Sequence, residues 1–446
     1  MNYNIRKYFS GRSTKDTENG AENNFNPFVE RKIEDPTTDR DTLAHLLKAS
    51  LGTGILAMPC AFRSSGLALG IISTIVISFI CTYCAYILVK CAHVLYYRTI
   101  KTQMSYADVA ETALKVGPKP FQIFAKPLRI FVDVGLFVTY FGACIGYTVI
   151  VATSIQPVVN YYQGIPDNPN ERPLLILGLL LVPFILLTLI PNLKKLTPVS
   201  MTANVFMFIS LCTILSWIIY NMKFNEAKNS DKFRLFGAIG VVMPLENKMM
   251  TPQNFIGPFG VLNKGMTFVT IMYMIVGVFG YLHDPANKKD MVMLEMPIDS
   301  EFLLLRLISQ GVRILVASAV FCTYSLQFFV CLDISWSWIK KYFTKHENIA
   351  NYILRIVLVF MSVILAMICP HINIIMGLIG AFCLSIMGLL IPVVIESITF
   401  WSCDSTCRRL LRTSKNIVIG IVAISALYFG TSGAFNDLMK VINPTE

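Results

Sequence analysis

Apolar and polar residues occur in long blocks along this chain, and the apolar blocks have the length that a membrane span requires. A helix crossing the hydrocarbon core needs about 20 mostly apolar residues, because its backbone polar groups must be satisfied without water. Such segments lie at residues 43–62, 67–89, 130–159, 174–190, 199–220, 233–245, 266–282, 314–332, 352–369, 372–395 and 417–434. The sixth is too short to span in regular form. The pattern predicts an all-α polytopic membrane protein with about 11 transmembrane helices.

The composition agrees with a membrane protein. The 446 residues are 54% hydrophobic and only 15% charged, which is more apolar surface than one soluble core can hide. With the N-terminus placed inside, 26 of the 38 Lys and Arg residues fall on the inner side, as expected for cytoplasmic loops. We therefore interpret the net charge of +11 as a signal of topology in a lipid bilayer and predict no nucleic-acid partner.

The first apolar segment contains residues that interrupt a helix. Gly52, Thr53 and Gly54 place two glycines within three residues, and Pro59 cannot donate a hydrogen bond to the carbonyl of Ile55. An unwound backbone inside a membrane is tolerated where it lines a cavity, and its free N–H groups suit a carboxylate. The glycines could instead serve close helix packing.

The sixth segment repeats this pattern, since Gly237, Ala238, Ile239 and Gly240 precede Pro244. Interrupted helices at positions one and six are expected of two inverted five-helix repeats that hold a substrate site between them. A transporter is thereby favoured over a channel or a receptor.

The motifs resemble those of the proton-coupled amino-acid transporters in the amino acid/auxin permease group, over nearly everything after residue 40. They are His45-Leu-Leu-Lys48 with Gly52-Thr53-Gly54, Ile239-Gly240-Val-Val-Met-Pro244-Leu-Glu246-Asn247, Thr323-Tyr324-Ser-Leu-Gln327-Phe328, and Leu378-Ile-Gly380-Ala-Phe-Cys-Leu384. The resemblance implies a LeuT-like fold, with a 5+5 inverted repeat plus one extra helix. It also implies symport of small neutral amino acids, of the glycine, alanine and proline class, with protons and without a cofactor.

The resemblance also assigns residues to the site. It implies that His45 serves proton coupling, although His45 could instead cap or anchor its helix. Glu246 follows the second interruption and could hold the hinge or relay a proton. We expect Gly52, Thr53 and Gly54 to bind the substrate carboxylate, and the backbone from Gly237 to Gly240 to face the amine. Tyr324 is a candidate wall of the same pocket, although aromatic residues there often serve core packing.

One departure from the family leaves a second function open. Relatives usually have a longer apolar stretch before Ile239, with an acidic residue nearby, whereas here Asp231-Lys-Phe-Arg234-Leu-Phe-Gly237 runs almost directly into it. A relative that binds amino acids and signals without transporting them is therefore the alternative. An enzyme is not expected, because we find no HExxH zinc motif, GxSxG elbow or paired intramembrane aspartates.

These predictions divide the chain into three parts. Residues 1–41 form a disordered cytoplasmic tail, because they are too polar to build a core. Residues 42–434 form the transmembrane transporter domain, and residues 435–446 a short extracellular or lumenal tail. The protein is expected in the plasma membrane or in a lysosomal or late endosomal membrane. No metal site is predicted.

Overall fold

The computed structural model describes residues 25–31, 36–165, 173–190, 193–221, 252–257, 259–283, 296–298, 301–343, 346–368, 377, 379–401 and 405–442, and these residues are almost entirely helical. The helices are α1 (Asp39–Ser50), α2 (Met58–Ser65), α3 (Leu67–Thr99), α4 (Tyr106–Val116), α5 (Lys119–Gln122), α6 (Ala125–Gln163), α7 (Leu174–Thr188), α8 (Leu193–Tyr220), α9 (Val261–His283), α10 (Leu303–Ile339), α11 (Glu347–Ile368), α12 (Ile379–Thr399) and α13 (Thr406–Ile442).

The described helices confirm the predicted polytopic membrane protein. Nine stretches within this part of the chain are long and apolar enough to cross a membrane, and one of them comprises α1 and α2 together. A further apolar helix, α7, has 15 residues. These ten coincide with ten of the predicted segments. The remaining segment, 233–245, lies outside the described residues.

Several helices run beyond the apolar segments that predicted them. The segment predicted at 314–332 belongs to Leu303–Ile339, and the one predicted at 417–434 belongs to Thr406–Ile442, which continues past residue 434. Apolar composition marks only the length of helix that lies in hydrocarbon, whereas the backbone hydrogen bonds of a helix continue into the polar headgroup layer.

A helix that the apolar pattern did not predict, α4, follows the second span. Its first turn is fixed by a capping box, in which the Ser105 hydroxyl accepts from the Asp108 N–H and the Asp108 carboxylate accepts from the Ser105 N–H. Its Glu111 carboxylate then forms an ion pair of 2.7 Å with Arg129 at the start of α6. The helix is thereby held against the transmembrane bundle.

The packing divides the first span between different neighbours. Both α1 and α2 contact α9, and α1 also contacts α8 and α10. The long helix α6 packs along α10, and α10 packs along α8. The residues between α1 and α2 contact α9, and Tyr147 of α6 lies beside Gly52.

Candidate functional site

The predicted interruption of the first span is confirmed at the level of the backbone. The helix α1 ends at Ser50, and the next N–H, that of Leu51, bonds to the Leu47 carbonyl at 2.6 Å. Gly52 is extended, with φ −63° and ψ −165°, and residues Thr53–Ala57 form a 3₁₀ turn before α2 begins at Met58. Pro59 then occupies the first turn of α2, where its missing N–H is no loss.

Two tyrosines from other helices approach the interruption. The Tyr273 hydroxyl of α9 donates to the Ser50 carbonyl at 2.8 Å and so satisfies one of the carbonyls that a helix end leaves without a partner. The Tyr147 hydroxyl of α6 faces Gly52, where an added Cβ would lie 3.3 Å from it. A side chain at Gly52 would therefore crowd Tyr147, so glycine keeps space open here.

Two buried polar atoms beside these residues have no hydrogen-bond partner within the described part of the chain: Ser50 Oγ and Gln327 Oε1. The Gln327 side chain on α10 also bonds with the Tyr147 hydroxyl, which places it at the interruption. Buried polar atoms without partners are rare and unfavourable, and a ligand is one explanation for them. Both atoms can accept a hydrogen bond, so they suit a bound ammonium group.

The other side of the interruption supplies donors. The first N–H groups of a helix have no partner within that helix, and here they belong to Thr53 and Gly54 at the start of the 3₁₀ turn. Helix starts favour anions such as carboxylates. The interruption thus offers an acceptor for an amine at Ser50 and donors for a carboxylate at Thr53 and Gly54, and Gln327 of α10 adds a second acceptor.

Tyr324, a predicted wall of the pocket, lies on α10 but makes its contacts elsewhere. Its hydroxyl bonds to Ser362 Oγ on α11 at 2.8 Å, and its ring centroid lies 4.2 Å from that of Phe184 on α7. The residue is fully buried. Its hydroxyl bond and this ring contact join α7, α10 and α11, and it belongs to the same buried cluster as Ile55 and Tyr147. Its role as a wall of the pocket stays a prediction.

His45, the predicted proton-coupling residue, is fully buried in α1 and lies near Lys48 and Asp41. Glu246, Gly237, Ala238, Ile239 and Gly240 lie outside the described residues.

The residues that sequence reasoning missed are Ser50, Tyr273 and Gln327. Ser50 and Tyr273 carry no local signal, since each meets the interruption only through folding. Gln327 did carry one, because an amide inside an apolar span is unfavourable in lipid and suggests a role.

Known proteins resemble the chain along most of its length. The family described as "Transmembrane amino acid transporter protein" matches residues 35–436. The Drosophila melanogaster "Proton-coupled amino acid transporter-like protein pathetic" is 45% identical over 443 residues, which cover 97% of this chain and 92% of that protein. The Caenorhabditis elegans "Probable amino acid transporter skat-1" is 20% identical over 431 residues, which cover 92% of this chain and 91% of that protein.

A solved structure matches the fold. The crystal structure of MhsT in complex with L-phenylalanine aligns with a TM-score of 0.51 at 13% identity, over 90% of this chain and 100% of MhsT. At this identity the likeness concerns the fold alone. MhsT has the LeuT fold, so the predicted LeuT-like architecture is confirmed.

Proposed function

Because this chain belongs to the transmembrane amino acid transporter family, a family of multi-pass membrane proteins and not of enzymes, we propose that it is a secondary active transporter of small neutral amino acids. The transport is proton-coupled symport by alternating access, in which the substrate binds at the interruption between α1 and α2. The relative that is 45% identical carries "proton-coupled" in its name, which supports the coupling ion.

The observation that carries this proposal is the pair of buried acceptors, Ser50 Oγ and Gln327 Oε1, beside the start of the 3₁₀ turn. A zwitterionic amino acid satisfies both sides, with its ammonium on the two acceptors and its carboxylate on the N–H groups of Thr53 and Gly54. Glycine at position 52 keeps the space beside the Tyr147 hydroxyl free of a side chain of the protein.

Two further elements of the site come from the sequence. The backbone from Gly237 to Gly240 is proposed to face the substrate amine. His45 is proposed to carry the coupled proton, since imidazole is the side chain whose ordinary pKa lies nearest to neutral pH. Glu246 is proposed to support that transfer or the hinge beside it. The distribution of Lys and Arg supports an inner N-terminus, in a plasma membrane or a lysosomal or late endosomal membrane.

The test is uptake of labelled glycine, alanine and proline, with current recording, by cells that express the chain at acidic and neutral outer pH. We expect uptake with inward current that is stronger at acidic pH and needs no sodium. Binding of alanine to the purified protein without any flux, despite correct membrane insertion, would instead favour the signalling alternative.

A pair of variants tests the site itself. Gly54→Leu should abolish uptake while leaving membrane insertion intact, and Gln327→Leu should raise KM by at least about tenfold through loss of one acceptor. Gly420→Leu is the matched control, because an added Cβ at Gly420 meets nothing within 4 Å. Normal uptake by Gly54→Leu would contradict the assignment.

A further inference from the structure

Lys48 is a buried lysine whose partners are neutral. It lies in the last turn of α1 with 3% of its surface exposed. Its Nζ donates to the Cys322 carbonyl of α10 at 2.7 Å and to Ser200 Oγ of α8 at 3.4 Å. Among the described residues no carboxylate forms an ion pair with it. Lysine is rarely buried, and an ionisable residue inside a membrane usually has a functional role.

The contacts of Lys48 connect one helix to two others. A neighbouring hydrogen bond does the same, because Asn204 Nδ2 of α8 donates to the Ala44 carbonyl of α1 at 3.0 Å. The half of the first span that precedes the interruption is therefore held to α8 and α10. Both halves also pack on α9, where Gly265 makes room for Leu46 of the first half, and Gly277 and Gly280 make room for Phe62 and Pro59 of the second.

The Cys322 carbonyl does not depend on Lys48 for a partner. The Ser325 hydroxyl also donates to it, at 2.7 Å. The Cys322 carbonyl therefore stays hydrogen-bonded when the ammonium is removed. What is lost is the connection that Lys48 makes between α1 and its neighbouring helices. Charge-assisted hydrogen bonds of this kind are among the stronger ones in proteins.

We propose that Lys48 is a positioning residue that closes the inner side of the substrate pathway, by tethering α1 to α8 and α10. The tether breaks each time α1 moves away from these helices, and it forms again when the inner side closes. This inference rests on the proposed alternating access, and on the inner location of α1 that the Lys and Arg distribution predicts.

The first test compares the two sides of the membrane in proteoliposomes. Lys48→Met removes the ammonium but keeps an unbranched side chain, so the resting population should shift toward the inward-open state. We expect KM on the inner side to fall and KM on the outer side to rise, with their ratio changing by about tenfold. A purely structural defect would lower the maximal rate and leave both KM values unchanged, which would overturn the proposal.

Two variants serve as controls. Lys48→Arg keeps a cation and should restore most of the wild-type ratio. Lys90→Met removes a lysine that lies over the Tyr86 and Phe400 rings, away from α1, and should leave the ratio unchanged.

A second test does not depend on transport. Ala44→Cys places a thiol on α1 where the wild-type residue is 8% exposed. A membrane-impermeant maleimide applied from the inner side should label it at least about tenfold faster when Lys48→Met is also present, with the exposed Cys407 as internal reference. An unchanged rate of labelling would overturn the proposal that Lys48 tethers α1. If the wild-type protein carries no amino acid, the proposed function fails, while this labelling still decides the role of Lys48.

Discussion

Gly280 of α9 packs against Pro59 in the second half of the first span. A Cβ added at Gly280 would lie 2.3 Å from Pro59 Cγ and 2.6 Å from Pro59 Cβ. Nonbonded carbon atoms prefer separations of about 3.5–4.0 Å, so α2 and α9 would have to move apart by about 1 Å. The proline ring is stiff and cannot rotate out of the way.

We therefore predict that Gly280→Ala destabilises the protein. Overpacking of a well-packed interface typically costs ~1–3 kcal/mol, which exceeds the ~0.5–1 kcal/mol that alanine gains over glycine within a helix. Gly311→Ala is the matched control, because it lies inside α10 and its added Cβ would meet nothing within 4 Å. The two substitutions are chemically identical, so any difference between their effects on stability reports the space around each glycine.

The assay is the rate of thermal inactivation of the purified protein in one detergent, followed by the loss of monodisperse material. The rate is the appropriate quantity, because membrane proteins commonly unfold irreversibly. Gly280→Ala should inactivate faster than wild type, and Gly311→Ala at the same rate or more slowly. Equal rates for both variants would refute the close packing of α2 on α9.

Two further predictions concern charged groups. Glu396→Gln removes the carboxylate that pairs with Lys415 at 2.7 Å and with Arg412 at 3.8 Å, and should lower stability by about 1–3 kcal/mol in thermal melting. The double variant with Lys415→Met should recover part of this loss. Burial alone would raise the pKa of Glu111, but hydrogen bonds from Lys115 and Arg129 outweigh it and hold that pKa below its ordinary value. A lowered carboxyl pKa stabilises the fold above the pKa of the unfolded chain, and this stabilisation disappears as pH falls through the lower folded value. The melting temperature of the wild type should thus exceed that of Glu111→Gln by a constant amount near neutral pH, and the difference should vanish below pH of about 4. A difference that grows in acid would contradict the lowered pKa of Glu111.

The sequence predicted the features that depend on local chemistry. The interruption of the first span follows from Gly52, Gly54 and Pro59, because glycine and proline act on the backbone wherever the chain goes next. Helix α4 was missed although its signal was also local, since Ser105 and Asp108 have the spacing of a capping box.

The contacts that complete the site could not be predicted in this way. Tyr273 bonds to the Ser50 carbonyl across 223 positions of the chain, so only the packing of α9 against α1 brings them together. Tyr324 was identified from the sequence, because the resemblance assigns its motif to the site. The direction of its hydroxyl could not be predicted, because it depends on Ser362 of another helix.

The interruption also explains how the first span can move at little energetic cost. Its first half is held to α8 and α10 by the bonds of Lys48 and Asn204 and also packs on α9, whereas its second half is held by close packing on α9. Each such hydrogen bond contributes about 0.5–3 kcal/mol net, so releasing these bonds of the first half requires a few kcal/mol. Conformations separated by that amount interconvert and respond to a ligand. A continuous helix would also have to break the contacts of its second half with α9 at the same time, because both halves would move as one rod.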